Sequence, residues 1–189
     1  MAQKKIAVLV GSLRKESFSR KMAKALMKLA SGSLSLEIVE IGGLPFYNQD
    51  LDDTGDPPAA WTGFRERLKK FDGVLFVTPE YNRSVPGVLK NAIDVGSRPY
   101  GKNAWAGKPG AVMSVSPGAI GGFGANHHLR QSMVFLDMPA MQQPEAYIGN
   151  AADLFDERGD FANDPPREFA VKFMQAFAAW VETNMSRRQ

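Results

Sequence analysis

The sequence predicts a parallel α/β sandwich in three layers, and two observations carry that reading. Ile6 to Val10, Gly73 to Thr78 and Ala111 to Val115 are short apolar runs without polar alternation, as in strands buried on both faces. Between them lie stretches with apolar residues at helical spacing, so strands and helices alternate as they do when crossover helices join parallel strands.

The first strand ends at Gly11, and a helix is expected from about Ser19 to Ala30, with Met22, Leu26 and Leu29 on one face and Gly32 as a stop. Leu36 to Ile41 alternates in part and reads as a strand nearer the sheet edge. From Gly42 to Pro58, Gly, Pro, Asn and Asp dominate, which predicts a surface loop. A helix from about Pro58 to Lys70 would lay Trp61, Phe64, Leu68 and Phe71 on the sheet. The strand Gly73 to Thr78 takes a central place. After Pro86 a short helix is marked by Val88, Leu89, Ala92 and Ile93, and a polar stretch from Pro99 to Gly107 leads to the fourth strand. The glycine-rich Pro117 to Gly122 follows, then a helix at about Ala125 to Leu136, a fifth strand near Glu145 to Ile148, and a terminal helix at about Pro166 to Met185. No repeat or linker interrupts the pattern, so residues 1–189 are expected to form one domain.

The 44% hydrophobic and 23% charged shares place the chain among ordinary globular proteins rather than disordered ones. With no cysteine there can be no disulfide, thiolate nucleophile or Cys-ligated zinc or iron–sulfur cluster, so redox chemistry would need a bound cofactor. The run Ile6 to Val10 is too short for a signal-peptide core or a membrane span, and a soluble, cytoplasmic protein without membrane contacts is expected. The net charge is +3, with basic residues scattered apart from Lys4-Lys5 and Arg187-Arg188 near the ends. That argues against nucleic acid as a partner and mildly favours small anions such as phosphates.

In an open parallel sheet, ligands collect at the carboxyl ends of the strands. Three loops there are unusual. The first, Gly11 to Ser19, lacks the glycine pattern of a dinucleotide site and the Gly-Lys-Ser/Thr of a P-loop. It offers instead the hydroxyls of Ser12, Ser17 and Ser19, the guanidinium of Arg14 and a following helix N-terminus, a set suited to a terminal phosphomonoester. For Ser17 or Ser19 singly, helix capping is an equal alternative. In the second loop Pro79 stiffens the turn, Tyr81 supplies a flat ring and Asn82 an amide, as at the border of a planar heterocycle, although taken alone the loop reads as a turn shaped by Pro79 and Pro86. The third has close-set glycines and Ser116, whose hydroxyl is either a ligand contact or merely the end of the fourth strand.

No metal site is expected, because the neighbours His127 and His128 do not face one another on a helix and no further ligand follows at suitable spacing. No G-x-S-x-G elbow or Ser/His/Asp set is present. Phe169, Phe173, Phe177 and Trp180 fall at helical spacing and read as core or subunit interface.

Taken together, the Gly11-Ser12-Leu13-Arg14 turn with Ser17 and Ser19, the segment from Thr78-Pro79-Glu80-Tyr81-Asn82 to Asn91-Ala92-Ile93-Asp94, and Ser116 with Gly121-Gly122 resemble the NAD(P)H-dependent FMN reductase family, in particular its bacterial chromate/quinone reductases. The likeness spans nearly the whole chain. It implies a flavodoxin-like fold with a five-stranded parallel sheet in the order 2-1-3-4-5, non-covalent FMN, and NAD(P)H as co-substrate. By position, Ser12, Leu13, Arg14, Ser17, Phe18 and Ser19 would cradle the phosphate. Pro79, Glu80, Tyr81 and Asn82 would border the isoalloxazine ring, largely through the main chain, and Ser116 and Gly118 would close the other side. The chain departs from the family pattern at Asn126-His127, where relatives often carry an aromatic, and in a longer segment from Val95 to Trp105.

The mechanism implied is ping-pong, with hydride passing through flavin N5 to a quinone, no catalytic side chain required, and chromate, azo or nitroaromatic compounds as further acceptors. A homodimer or homotetramer is implied, with Val95 to Trp105 and the 169–180 stripe as contacts. The alternatives are a flavodoxin-type electron carrier, a reductase that releases free reduced FMN, and a flavin-free regulatory module. Carriers of the first kind tend to be strongly acidic, and the positive charge and Arg14 count against one here.

Overall fold

In the computed structural model, which describes residues 3–186, five parallel strands form one sheet in the order second, first, third, fourth, fifth. In chain order the elements are β1 (Lys4–Val10), α1 (Phe18–Leu29), β2 (Leu34–Ile38), α2 (Gln49–Asp53), α3 (Ala59–Lys69), β3 (Gly73–Thr78), α4 (Gly87–Gly96), β4 (Gly110–Val115), α5 (Phe123–Phe135), β5 (Ala146–Ile148), a 3-10 turn (Ala151–Asp153) and α6 (Asp164–Ser186). Arg187 and Arg188 lie outside the described residues. Lys4 and Lys5 belong to β1, where the Lys5 N–H donates to the Asp72 carboxylate at 2.7 Å.

The apolar runs become buried strands because each face of the sheet has its own helical layer. Along β1, Ile6, Val8 and Val10 face α1 and α6 and meet Met22, Leu26, Phe173 and Phe177. Ala7 and Leu9 turn to the opposite layer of α3, α4 and α5, with Trp61, Phe64, Leu89 and Leu129. The Trp61, Phe64, Leu68 and Phe71 face packs as its spacing predicts. Phe173 and Phe177 are wholly buried within the chain's own core, and Trp180 donates its indole N–H to the Pro139 carbonyl at 3.0 Å. The stripe is therefore chiefly core. In the segment after α4, Trp105 is buried and donates to the Ile93 carbonyl, while Tyr100 stands 89% exposed.

Two expectations need correction. The second strand lies earlier than Leu36 to Ile41, in register from Lys4↔Leu34 to Val8↔Ile38. The apolar pattern runs on past its end because Val39, whose N–H still donates to the Val8 carbonyl, and Ile41 are buried against the α3–α5 layer. The expected loop from Gly42 to Pro58 contains α2, a five-residue helix capped by the Asn48 side chain and bearing no apolar stripe. It is tightly held. Asn91 accepts from the Tyr47 N–H and donates to the Leu44 and Pro45 carbonyls. Asp52 forms a two-pronged ion pair with Arg65 at 2.8 and 2.7 Å, and Arg65 also donates to the Val95 carbonyl on α4. A smaller shift is that α6 begins at Asp164, since Pro165 and Pro166 fit a first turn, where no N–H is needed.

Among the described residues, no helix is long and apolar enough to cross a membrane.

Candidate functional site

The carboxyl ends of β1, β3 and β4 meet around a cavity of about 250 Å³ lined by Ser12, Arg14, Ser17, Phe18, Ser19, Pro79, Glu80, Tyr81, Val115, Ser116 and Pro117. Gly11 makes this convergence possible, because a Cβ there would stand 2.5 Å from the Thr78 hydroxyl oxygen at the end of the neighbouring strand. A larger groove, about 500 Å³, lies between α4 and α5 and includes Lys90, Asp94, Arg98 and His128. None of the predicted site residues lines it, and its charges are mixed, so we place the site in the smaller cavity.

The cavity gathers most of the predicted residues but uses them differently. Ser12 is buried and its hydroxyl accepts from the Arg14 N–H at 3.4 Å. Ser17 is the N-cap of α1, accepting from the Arg20 N–H at 3.0 Å, so the capping alternative applies to this serine, whose O–H proton remains free to donate. Ser19 does not cap. Its Oγ is buried without a hydrogen-bond partner, the sole such side-chain atom among the described residues. A buried hydroxyl left unpaired is costly, and one that lines a cavity is a vacant donor aimed at a ligand. Arg14 is exposed, and no carboxylate or carbonyl among the described residues engages its guanidinium. Two free donors beside a helix N-terminus fit a phosphate group.

On the facing wall, Tyr81 and Ser84 exchange two 3.0 Å backbone hydrogen bonds across a turn with Asn82 and Arg83 at φ +50° and +63°, the left-handed pair of a tight hairpin. Glu80 lines the cavity, and its carboxylate accepts from the Ala125 N–H at 3.0 Å, where it satisfies the start of α5, and from Arg83 at 3.1 Å. Tyr81 is about half exposed at the mouth. Ser116 accepts from the Gly118 N–H at 3.1 Å. Among the glycines that follow, Gly121, at φ +66°, has its close approach to β5, where a Cβ would lie 2.5 Å from the Tyr147 carbonyl carbon.

Leu13, Asn82 and Gly118 do not line the cavity. The Leu13 side chain leans on Gly42, and the Asn82 position is set by the turn. Val115 and Pro117, which sequence reasoning passed over, do line it, and their place on either side of Ser116 was the available signal. Asn126 is fully buried, clamping α5 to the sheet through Ser114 and the Ala146 carbonyl. His127 pairs with the Tyr147 hydroxyl at 2.9 Å and packs on Phe123, whereas His128 pairs with Ser84 at 2.8 Å. Burial raises the Tyr147 phenol above its ordinary pKa, with Glu145 adding to the rise.

A five-stranded parallel sheet in this order, with a cavity where the carboxyl ends of β1, β3 and β4 meet, defines the flavodoxin-like class. Within that class the chain belongs to the NADPH-dependent FMN reductase family, whose model matches residues 4–153. It is 66% identical over 179 residues to a quinone reductase of Pseudomonas putida, covering 95% of both chains. It is 48% identical over 177 residues to a 2-hydroxy-1,4-benzoquinone reductase of a Burkholderia species, covering 94% of this chain and 96% of the other. Among solved structures it is similar to FerB, a flavoenzyme NAD(P)H:(acceptor) oxidoreductase from Paracoccus denitrificans, with 43% identity, a TM-score of 0.90 and coverage of 96% and 98%. The chain is thus an enzyme, an oxidoreductase with FMN as cofactor and NAD(P)H as co-substrate.

Proposed function

We propose that this chain is a cytoplasmic quinone reductase, one FMN-binding domain per subunit of a homo-oligomer, in which NAD(P)H and the quinone use one open flavin face in turn. The observation that carries the reading is the unpaired, buried Ser19 hydroxyl in the cavity after β1, in a chain so similar to a quinone reductase. Ser12, Ser17 and Ser19 would donate to the phosphate with the Arg14 guanidinium, while Leu13 and Phe18 shape the turn through main chain and bulk. The backbone of Pro79, Glu80, Tyr81 and Asn82 would border the ring, and Ser116 and Gly118 would close the far side. FMN supplies the hydride chemistry at its N5 when bound.

These residues would hold the ring and leave a face open to reactants, and the chain would add no acid of its own. The Glu80 carboxylate, the nearest candidate, is already engaged with the Ala125 N–H and Arg83. The acceptor's protons then come from solvent, and acceptor choice is loose enough to extend to chromate, azo and nitroaromatic compounds. The deciding experiment is anaerobic addition of NADPH to the FMN-loaded protein, where the flavin absorbance is expected to bleach and then return on adding a quinone. A flavin that stays yellow would rule out the reductase and leave an electron carrier.

Phe46 and Tyr100 stand 81% and 89% exposed, apolar surface that a subunit contact would cover, and they support assembly into dimers or tetramers. Light scattering is expected to give a multiple of the 20.7 kDa chain mass. A monomeric mass would contradict assembly without touching the catalytic reading.

A further inference from the structure

Beside the flavin cavity runs a second groove, about 230 Å³, between the outer face of α1 and the turn at residues 157–159. Its floor is a column of like charge, with Arg20, Lys24 and Lys28 one helical turn apart. Cations spaced i, i+4 repel, so the column works against the helix unless anions neutralise it. The protein neutralises only the ends, since Arg20 pairs with Glu40 and Lys28 with Asp160. Lys24, in the middle, and Lys15, at the edge nearest the flavin cavity, have no carboxylate partner among the described residues. Arg158 faces them from the other wall, held at 3.7 Å by Asp156. Against these cations the lining holds two carboxylates, Glu16, already paired with Lys21 at 3.4 Å, and Glu157.

The groove flanks the same turn as the site already described, since Lys15 on its edge follows Arg14, which lines the flavin cavity. We propose that it is the binding site for the 2′-phosphate of NADPH, and that Lys15 and Lys24 make the enzyme favour NADPH over NADH. The two nucleotides differ only by this dianion, so a cationic groove that shares a turn with the flavin cradle discriminates between them by charge. The inference rests on the reductase reading and names which co-substrate that reaction prefers.

The test uses FMN-loaded protein and isothermal titration with adenosine 2′,5′-bisphosphate, 5′-AMP and inorganic phosphate as separate probes. The bisphosphate is expected to bind about tenfold more tightly than 5′-AMP, and Lys15→Ala with Lys24→Ala to remove most of that gap while leaving 5′-AMP unaffected. In steady state the same double variant should raise KM for NADPH about five- to tenfold, with kcat, KM for NADH and flavin content unchanged. Equal binding of bisphosphate and 5′-AMP would overturn the proposal, as would inorganic phosphate binding as tightly as the bisphosphate, which marks a general anion site. Equal losses with both co-substrates would also overturn it. Failure of the unaltered protein to be reduced by NADH or NADPH would count against the reductase reading instead.

Discussion

Asp52→Ala is expected to destabilise the protein by about 3 to 5 kcal/mol, because it strands the Arg65 guanidinium in the interior. The side chains of Asp52 and Arg65 are only 2% and 8% exposed, and the pair joins α2 to α3. Arg65 also lies 5.6 Å over the Trp61 ring and donates to the Val95 carbonyl, so it cannot swing out without breaking further contacts. Replacing both partners together, Asp52→Leu with Arg65→Met, should recover most of the loss, since well-packed apolar pairs rival buried ion pairs. Urea unfolding of the three proteins measures this. A loss under about 1 kcal/mol for Asp52→Ala would show that the pair behaves as a surface contact.

Arg14→Ala is expected to weaken FMN retention by about 1.5 to 3 kcal/mol, the range of a charged hydrogen bond, with stability of the flavin-free protein nearly unchanged. The guanidinium is exposed and has no hydrogen-bond or ion-pair partner among the described residues. Ser19→Ala should part the two quantities in a different way, also weakening FMN but stabilising the flavin-free protein by about 1 kcal/mol or more, because it removes a buried polar atom that lacks a partner. Fluorescence titration with FMN and urea unfolding of the stripped protein read the two effects separately. Unchanged FMN affinity in Arg14→Ala would leave the phosphate to the serines and backbone. A less stable stripped Ser19→Ala would mean the hydroxyl already serves the fold.

The parts of the fold that could be read from the sequence are those where burial dictates composition. β1, β3 and β4 are covered on both faces and admit little but apolar residues, so their runs were unambiguous. At β2 the same logic misled, because Val39 and Ile41 stay buried beyond the end of the strand at Ile38. α2 was invisible for the opposite reason, being held by Asn48, Asp52 and distant Asn91 and Arg65 rather than by an apolar stripe. The phosphate turn could be read because hydroxyls and a guanidinium cluster within eight residues. The direction of each side chain could not. Nothing in the sequence says that Ser17 rather than Ser19 caps α1, that Leu13 leans on Gly42, or that Glu80 reaches back to α5.

That last contact has a bearing on how the cavity responds to a visitor. The wall at residues 79–84 is braced from behind, through Glu80 to the start of α5 and through Ser84 to His128, as well as by its own hairpin bonds. The opposite wall is tied within itself by two longer bonds, Ser12 Oγ to the Arg14 N–H at 3.4 Å and the Ser17 N–H to the Arg14 carbonyl at 3.3 Å. On the proposed reading, the wall braced from a second element is the one that borders the ring, and the turn held by local bonds is the one that meets the phosphate.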